Sequence, residues 1–245
     1  MNNRIALYIT AAAVAALASP AEAGVYKFDI TGSGITGAVS LTYAVNPNTG
    51  VLPQTSPNPV DPIGSYIVTG INGTFSDSNI GLSDAAITGI VASEPGNPTS
   101  TNLFAPHSFG FYPVAGGVPG PGGTAPGFSY DNLFYPGGSP RASSDYPFHG
   151  GILDIYGIVF TLADGNAVNL WSNGDLGRGV TYGAGVTDGK TVLDYVSPMH
   201  LAGVPEPATW AMMIFGFGAV GAVARRKRGK VPPRTRMIQT GHGAL

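Results

Sequence analysis

Apolar and polar residues alternate along much of the chain between residues 24 and 203. Tyr26, Phe28 and Ile30 are separated by polar residues, and the same period of two recurs at 39–45. This period is typical of β-strands that bury one face. Further along, Asn72-Gly73 predicts a two-residue hairpin turn. No segment of this region repeats apolar residues at the helical period between capping residues, so the pattern predicts an all-β fold.

The clearest hairpin signal comes later in the chain. Residues 152–162 form a long apolar run, Asp164-Gly165 follows as a turn, and residues 167–171 return as a second apolar segment. Two such segments joined by a short turn are typical of a β-hairpin. We therefore predict that residues 24–203 form one all-β domain, a β-sandwich of the jelly-roll type.

Residues 95–150 combine many glycines and prolines with many aromatic residues. In one interpretation this is a long ordered loop whose rings pack onto the sheet. In the other, the rings are exposed and stack on the apolar faces of sugars. The residues that we single out as possible glycan contacts are Tyr130, Phe134 and Tyr135, together with Trp171 from the predicted hairpin.

The N-terminus has the three parts of a secretory signal peptide. Arg4 supplies the positive charge, residues 5–18 are apolar, and Ala21 and Ala23 fit the small-x-small cleavage rule. We predict that residues 1–23 are a signal peptide and that cleavage occurs before Gly24. The exported domain then begins at Gly24.

Charge is strongly segregated along the chain of 245 residues. Residues 24–204 contain 12 acidic and 4 basic residues, a balance of 4 − 12 = −8. From Arg225 onward there are 7 basic residues and no acidic one. An acidic domain lacks the basic face that phosphate binding needs, so we expect no nucleic-acid partner. The chain has no cysteine, which excludes disulfides and thiolate chemistry.

Catalytic motifs are absent from the sequence. The 4 histidines are isolated, and neither HExxH nor Gly-x-Ser-x-Gly occurs. Glu94, Asp145 and Asp154 offer carboxyl groups for a glycosidase pair, but sequence does not place two of them at the required separation. We predict that the protein is not an enzyme, with a secreted polysaccharide hydrolase as the remaining alternative.

Acidic turns raise the question of a metal. The turns at 77–79, 164–166 and 173–175 contain Asp and Asn, whose oxygens suit Ca²⁺. The same residues are the ordinary residues of turns, and no EF-hand or repeat accompanies them. We therefore predict no catalytic metal and no cofactor, and leave a structural Ca²⁺ open.

The C-terminus has three consecutive parts. Pro205, Glu206 and Pro207 form a rigid turn, and residues 210–224 form an apolar stretch that begins with Trp210. A basic cluster then follows at Arg225, Arg226, Lys227 and Arg228. This order predicts a short transmembrane helix with an interfacial aromatic residue and a cytoplasmic basic stop.

These residues closely resemble the PEP-CTERM sorting signal of Gram-negative bacteria, in its PEPxxWA variant. The resemblance implies export by the secretory machinery, transient retention in the inner membrane, and processing by an exosortase. Pro205, Glu206, Pro207 and Trp210 would form the sorting motif. Such proteins are associated with the outer surface and with exopolysaccharide. Residues 229–245 extend beyond the usual end of this signal, and we expect a basic, disordered tail there.

The functional hypothesis combines these observations. We predict an exported protein of the cell surface or extracellular matrix, with residues 204–228 as its sorting signal, acting together with exopolysaccharide. The alternative is a carbohydrate-binding module that uses the aromatic residues named above.

Overall fold

The computed structural model describes residues 24–51, 59–93, 105–120, 123–140, 150–175 and 177–204. Every regular element within these ranges is a β-strand, and no helix occurs among them. The strands are β1 (Gly24–Gly32), β2 (Ile35–Val45), β3 (Thr49–Gly50), β4 (Asp61–Pro62), β5 (Tyr66–Asp77), β6 (Leu82–Ile90), β7 (Gly110–Gly120), β8 (Gly123–Tyr130), β9 (Leu133–Phe134), β10 (Ile158–Leu162), β11 (Ala167–Asp175), β12 (Val180–Thr187) and β13 (Val192–Gly203).

The main sheet closes on itself. Its strand order is β2-β1-β13-β12-β11-β10-β6-β5, and β5 pairs again with β2. All of these pairings are antiparallel, so the eight strands form an up-and-down barrel. The prediction of a β-sandwich is therefore wrong, although the all-β prediction is confirmed. Alternation identifies the buried face of each strand, but it does not distinguish two facing sheets from one closed sheet.

Side chains fill the interior of the barrel. Each strand contributes alternate apolar residues, as Phe28 and Ile30 do in β1 and Ile158 and Phe160 do in β10. All four of these side chains are fully buried. An eight-stranded barrel is just wide enough for its own side chains to occupy the interior. The barrel thus encloses the main hydrophobic core of the domain.

The hairpin between β1 and β2 shows how local sequence supports this topology. Its two turn residues, Ser33 and Gly34, both have positive φ, at 52° and 85°. Two consecutive positive φ values are typical of a type I′ turn, whose twist matches that of the flanking strands. With the turns at 78–81, 163–166 and 188–191, this turn lies at one end of the barrel, which we call the turn end.

The opposite end is the termini end, where β1 begins and β13 ends. β9 pairs with β5 there and places Phe134 against Tyr26 and Tyr43, with ring centroids 5.1 and 4.8 Å apart. Leu153, from the segment before β10, is also part of the core cluster. The long connection between β6 and β10 therefore covers this end of the barrel with apolar side chains.

The same connection forms a second layer outside the barrel. β7 and β8 pair as a separate hairpin, with an irregularity between Pro113 and Val118. Phe128 and Tyr130 from this hairpin are buried with Val159 and Ala167 of the barrel in a second apolar cluster. The outward faces of β10 and β11 are therefore buried as well, which explains the nearly continuous apolar runs that the sequence shows there.

Candidate functional sites

A buried group of carboxylates lies at the termini end. Asp131 and Asp154 are 0% and 2% exposed, and their carboxyl groups are within hydrogen-bonding reach of each other. Asp154 accepts hydrogen bonds at Oδ1 from the amides of Tyr156 and Gly157, at 2.9 and 3.1 Å. Its Oδ2 accepts the Tyr135 hydroxyl at 3.1 Å. The Asp131–Asp154 pair therefore fastens the 150–157 segment to the loop that follows β8.

The environment of this pair changes its protonation. Burial, followed by the neighbouring Asp154 carboxylate, raises the pKa of Asp131 well above its usual range. The pKa of Asp154 is also raised by burial, against the effect of its hydrogen-bond donors. Two adjacent carboxylates far from solvent cannot both ionise at low cost. Burial therefore favours a state in which the two carboxyl groups share one proton.

A third carboxylate, Asp61, organises the neighbouring loops. It is 0% exposed, and its Oδ2 accepts Asn46 Nδ2 at 2.9 Å and the Ser108 hydroxyl at 2.8 Å. Its Oδ1 accepts the Ser108 amide at 2.8 Å. Asn46 also donates to the Ser65 hydroxyl at 3.1 Å. Asp61 thus joins the end of β2, the start of β5 and the loop before β7.

These groups are poorly placed for glycoside hydrolysis. Asp154 is buried, and its direct contact with Asp131 is closer than the ~5 Å or more that separates glycosidase carboxyl groups. Glu94 and Asp145, the other carboxyl groups that we considered, lie outside the described residues. The arrangement of Asp131, Asp154 and Asp61 fits the anchoring of loops by charged acceptors.

At the turn end, Asn79 joins the carboxyl groups of Asp77 and Asp194 in a hydrogen-bonded cluster. Asn79 donates from its amide to Asp77 Oδ1 at 3.0 Å and from Nδ2 to Asp194 Oδ2 at 2.9 Å. The same Nδ2 also donates to the Ser33 carbonyl at 3.0 Å. Asp77 is 0% exposed, and its carboxyl group lies within hydrogen-bonding reach of the Asp194 carboxyl group. The sequence predicted only a turn at 77–79, because Asp194 follows more than a hundred residues later.

An aromatic stack covers the outer face of β11, β12 and β13. Tyr195 stacks on Trp171 with ring centroids 4.8 Å apart and planes at 27°. Phe128 from the outer hairpin lies 6.5 Å from Tyr195, at 17°. Tyr195 remains 49% exposed, whereas Trp171 is only 8% exposed. This stack presents an exposed aromatic ring on the described barrel face, and Tyr195 was not among the residues predicted from the sequence.

The four residues predicted as glycan contacts are buried. Tyr130, Phe134 and Tyr135 are at most 1% exposed, and Trp171 lies beneath Tyr195. The Tyr130 hydroxyl donates to the Ala92 carbonyl at 2.7 Å. These positions favour the interpretation in which the rings pack onto the sheet. Within the set, only Trp171 adjoins an exposed ring.

In the other acidic turns, the Asp side chains accept hydrogen bonds from residues of the same turn. Asp164 accepts the amide and Nδ2 of Asn166, and Asp175 accepts the amides of Gly177 and Gly179. In the described part of the chain, no group of three or more His, Asp or Glu side chains is arranged to hold a metal ion. Asp164 and Asp175 therefore act as turn residues here.

The predicted targeting segments precede and follow the barrel in the sequence. Ala21 and Ala23 precede the described residues, and Gly24 is the first residue of β1. The sorting residues, the predicted helix at 210–224, the basic stop and the tail at 229–245 lie outside the described residues. In the ranges that the structure describes, no helix has the length and hydropathy to cross a bilayer.

Comparison with known proteins identifies the C-terminal segment. Residues 203–228 match the family model of the PEP-CTERM protein-sorting motif. The chain matches no curated protein and no solved structure. The motif implies export, passage through the membrane and processing by the exosortase system. The chain therefore carries a PEP-CTERM protein-sorting motif that begins at the last residue of β13, and it is a protein sorted through the exosortase system.

Proposed function

We propose that the barrel of residues 24–203 is a non-enzymatic component of the cell surface or extracellular matrix that acts together with exopolysaccharide. The observation that carries this proposal is the position of the barrel between its two targeting segments. β1 begins at Gly24, the predicted first residue after signal cleavage, and β13 ends at Gly203, where the sorting motif begins.

The pairing of these two strands supports the proposal. β1 and β13 are antiparallel neighbours, with Phe28 opposite Gly203, and the Val204 amide donates to the Lys27 carbonyl at 2.8 Å. All eight barrel strands therefore lie inside 24–203. Removal of both targeting segments would leave the barrel with every strand it needs. A self-contained domain of this kind suits release to the cell surface.

The sorting half of the proposal is tested by localisation. The full chain would be expressed in a Gram-negative host that contains an exosortase, beside a variant lacking residues 205–228. We expect the intact chain on the outer surface or in the matrix, and the deletion variant in another fraction. A variant that lacks only residues 229–245 is the matched control and should be sorted normally. Equal surface display of all three proteins would refute the sorting function.

The proposed association with exopolysaccharide needs a separate measurement. We expect the mature protein recovered from the surface to sediment with the exopolysaccharide of the host, and to remain soluble when that polysaccharide is omitted. Enzymatic removal of the polysaccharide should release the protein from the matrix fraction. Retention of the protein in the matrix fraction of a strain that makes no exopolysaccharide would contradict the association with exopolysaccharide, but not the sorting function.

Carbohydrate binding is the second candidate function, and the exposed Tyr195 ring favours it. Trp171 and Phe128 hold this ring in a fixed orientation, so a sugar face could stack on it with little loss of side-chain entropy. We expect glycan-array binding by the mature protein to be lost in Tyr195→Ala and kept in Tyr195→Phe. Equal binding by the two variants would place any glycan site elsewhere.

A further inference from the structure

Exposed hydrophobic side chains collect at one end of the barrel. In the ranges that the structure describes, seven large hydrophobic residues are at least 39% exposed, and five of them lie at the termini end. These five are Val25, Val45, Val51, Ile63 and Val204. Single exposed hydrophobic residues scattered over a surface are ordinary, but a collection of them at one place marks an interaction surface.

Two short strands place the most exposed of these residues at neighbouring positions. β3 and β4 are parallel, and Gly50 is opposite Pro62. Val51 and Ile63 are the residues that follow, and they are 82% and 63% exposed. Val45, the last residue of β2, lies at the same end of the barrel and is 53% exposed. We call Val45, Val51 and Ile63 the apolar patch.

Hydrogen bonds hold the loop that carries the apolar patch. The Asp61 carboxylate accepts Asn46 Nδ2 at 2.9 Å, and the Asp61 amide donates to the Asn48 carbonyl at 3.0 Å. The Ser65 hydroxyl donates to the Pro62 carbonyl at 2.7 Å. Because these bonds already order the loop, its exposed side chains lose little conformational entropy when they contact a partner.

The loop of the apolar patch carries no exposed charge in its described residues. Residues 45–66 contain a single charged residue, Asp61, and it is 0% exposed. At the turn end, by contrast, Asp164 and Asp188 are exposed beside Lys190. A domain with a balance of 4 − 12 = −8 thus presents an uncharged apolar surface at one end and acidic turns at the other.

Other exposed charges at the termini end do not make it acidic. The β11–β12 turn lies across the barrel from β2 and carries Asp175 and Arg178, which are exposed and have opposite signs. Lys27, on β1 two residues after Val25, is exposed and basic. This end of the barrel can therefore approach an anionic surface without strong repulsion.

The position of the predicted membrane segment indicates which partner the apolar patch meets. The Val204 amide donates to the Lys27 carbonyl at 2.8 Å, so the chain is held to the barrel as far as Val204. Five positions, 205–209, separate Val204 from the apolar stretch that begins at Trp210. A fully extended chain of this length spans at most about 20 Å. While that stretch is in a bilayer, the termini end must stay within this distance of the membrane surface.

We propose that the apolar patch rests on the lipid bilayer, at the level of the headgroups, while the chain passes through the membrane. Interfacial binding grows with the apolar area that enters the headgroup region. A tether of five residues makes the contact intramolecular in effect, so a few side chains are sufficient. The acidic turns then point away from the headgroups, which avoids repulsion by anionic lipids.

The inference goes beyond the proposed surface function, because it concerns the stage before the barrel is released. It gives the termini end a task of its own. Contact with the bilayer would limit the tumbling of the barrel and keep the sorting motif, which begins at Gly203, at the membrane surface.

A fluorescent probe on the anchored chain tests the contact. The chain has no cysteine, so Val51→Cys, Ile63→Cys and Leu193→Cys would each take one thiol-reactive bimane label. Leu193 is the matched control, since it is 39% exposed but lies near the start of β13, at the turn end. The chain would be exported in a host without an exosortase, so that the tail is kept. It would then be reconstituted into vesicles of phosphatidylethanolamine and phosphatidylglycerol.

We expect the emission of labels at positions 51 and 63 to shift to the blue in vesicles. Lipids that carry a nitroxide group should quench most of that emission. The label at position 193 should show neither effect. Equal quenching at all three positions, or at none, would overturn the proposal. A blue shift at 51 and 63 without quenching would also overturn it and would indicate contact between two copies of the chain.

Charged substitutions give a second test on the same vesicles. With the label on Val45→Cys, the double substitution Val51→Asp and Ile63→Asp should abolish quenching, whereas Leu193→Asp should leave it unchanged. All of these positions are exposed, so the variants should fold. Persistent quenching in the double variant would contradict the proposal. These outcomes do not bear on display of the released barrel, so a negative result would leave the proposed surface function intact.

Discussion

The indole ring of Trp171 lies across the backbone of Gly183 on the neighbouring strand. The two residues are opposite each other in the β11–β12 register, and a Cβ atom at position 183 would overlap the ring. Gly185 plays the same part for Phe128, whose ring would be 2.6 Å from an added Cβ. Because Gly183 and Gly185 have no side chains, the rings of Trp171 and Phe128 can pack directly against the backbone of β12.

Gly183→Ala should destabilise the barrel by about 1–3 kcal/mol, because the Trp171 ring must shift away from its contact with Tyr195. The free energy of unfolding in urea would measure the effect. Gly89→Ala is the control on another strand, since a Cβ there meets nothing within 4 Å. Equal stability of the two variants would show that the glycine is not needed beneath the ring.

The Asp131–Asp154 pair predicts a stability that falls as pH rises. The raised pKa of Asp131 means that the folded protein keeps a proton which the unfolded chain releases near pH 4. Above that pH the folded state binds more protons, so the free energy of unfolding decreases with pH, by at most about 1.4 kcal/mol per unit for one proton. The loss continues until the pH passes the raised pKa. Asp61 and Tyr135 are the other titratable groups that face the pair.

Asp131→Asn tests this prediction by thermal unfolding between pH 4 and 8, in EDTA. The variant keeps a donor toward Asp154 but has no proton to lose, so its stability should depend less on pH than that of the unaltered protein. Asp29→Asn, an exposed substitution on β1, should leave the slope unchanged. If Asp131→Asn retained the full slope, the shared proton would have to reside elsewhere.

Asp61→Ala should lower the free energy of unfolding by at least about 2 kcal/mol. The substitution leaves the amide and hydroxyl of Ser108 and the side chain of Asn46 without their buried acceptor. Chemical denaturation would measure the loss, and Asp29→Ala at an exposed site is the control. A loss no larger than that of the control would mean that water replaces the carboxylate.

Truncation tests the boundary of the barrel. A chain that ends at Val204 should keep its cooperative unfolding, because all pairs between β1 and β13 remain. A chain that ends at Met199 loses the four paired residues from His200 to Gly203 and opens the barrel between β1 and β13. We expect that second chain to unfold at a clearly lower temperature or to be degraded on export. Similar melting of both chains would show that the β1–β13 seam contributes little.

Local signals in the sequence predicted the strands well where a short turn joins them. The predicted hairpin at 152–171 overlaps the observed one: β10 is the second half of the apolar run at 152–162, and β11 begins at Ala167 as predicted but extends to Asp175. Asn72-Gly73 was misleading, since these residues lie inside β5 and not in a turn. Gly73 has a φ of +133° and a close approach to Ala38 on β2, so it serves a tight strand contact. The same dipeptide can thus mark a turn or a close approach between strands, and only the partner strand distinguishes them.

The candidate sites were less predictable for the same reason. The glycan residues were chosen for their ring chemistry, but ring chemistry does not reveal exposure, and a closed sheet with an outer hairpin buries them. Asp77 and Asp194 are 117 positions apart, since 194 − 77 = 117, and they meet only because β5 and β13 reach the same rim. Sequence spacing carries no information about such a meeting.

By itself the sequence determined the local and linear properties of this protein. Strand periodicity, the absence of cysteine, the segregation of charge and the sorting motif at 203–228 depend on neighbouring residues, and all can be seen along the chain. Closure of the sheet, burial of the aromatic rings, the Asp131–Asp154 pair and the contact of Asp77 with Asp194 were decided by the tertiary structure. Each depends on which distant strands become neighbours, and that choice is made by the packing of the whole barrel.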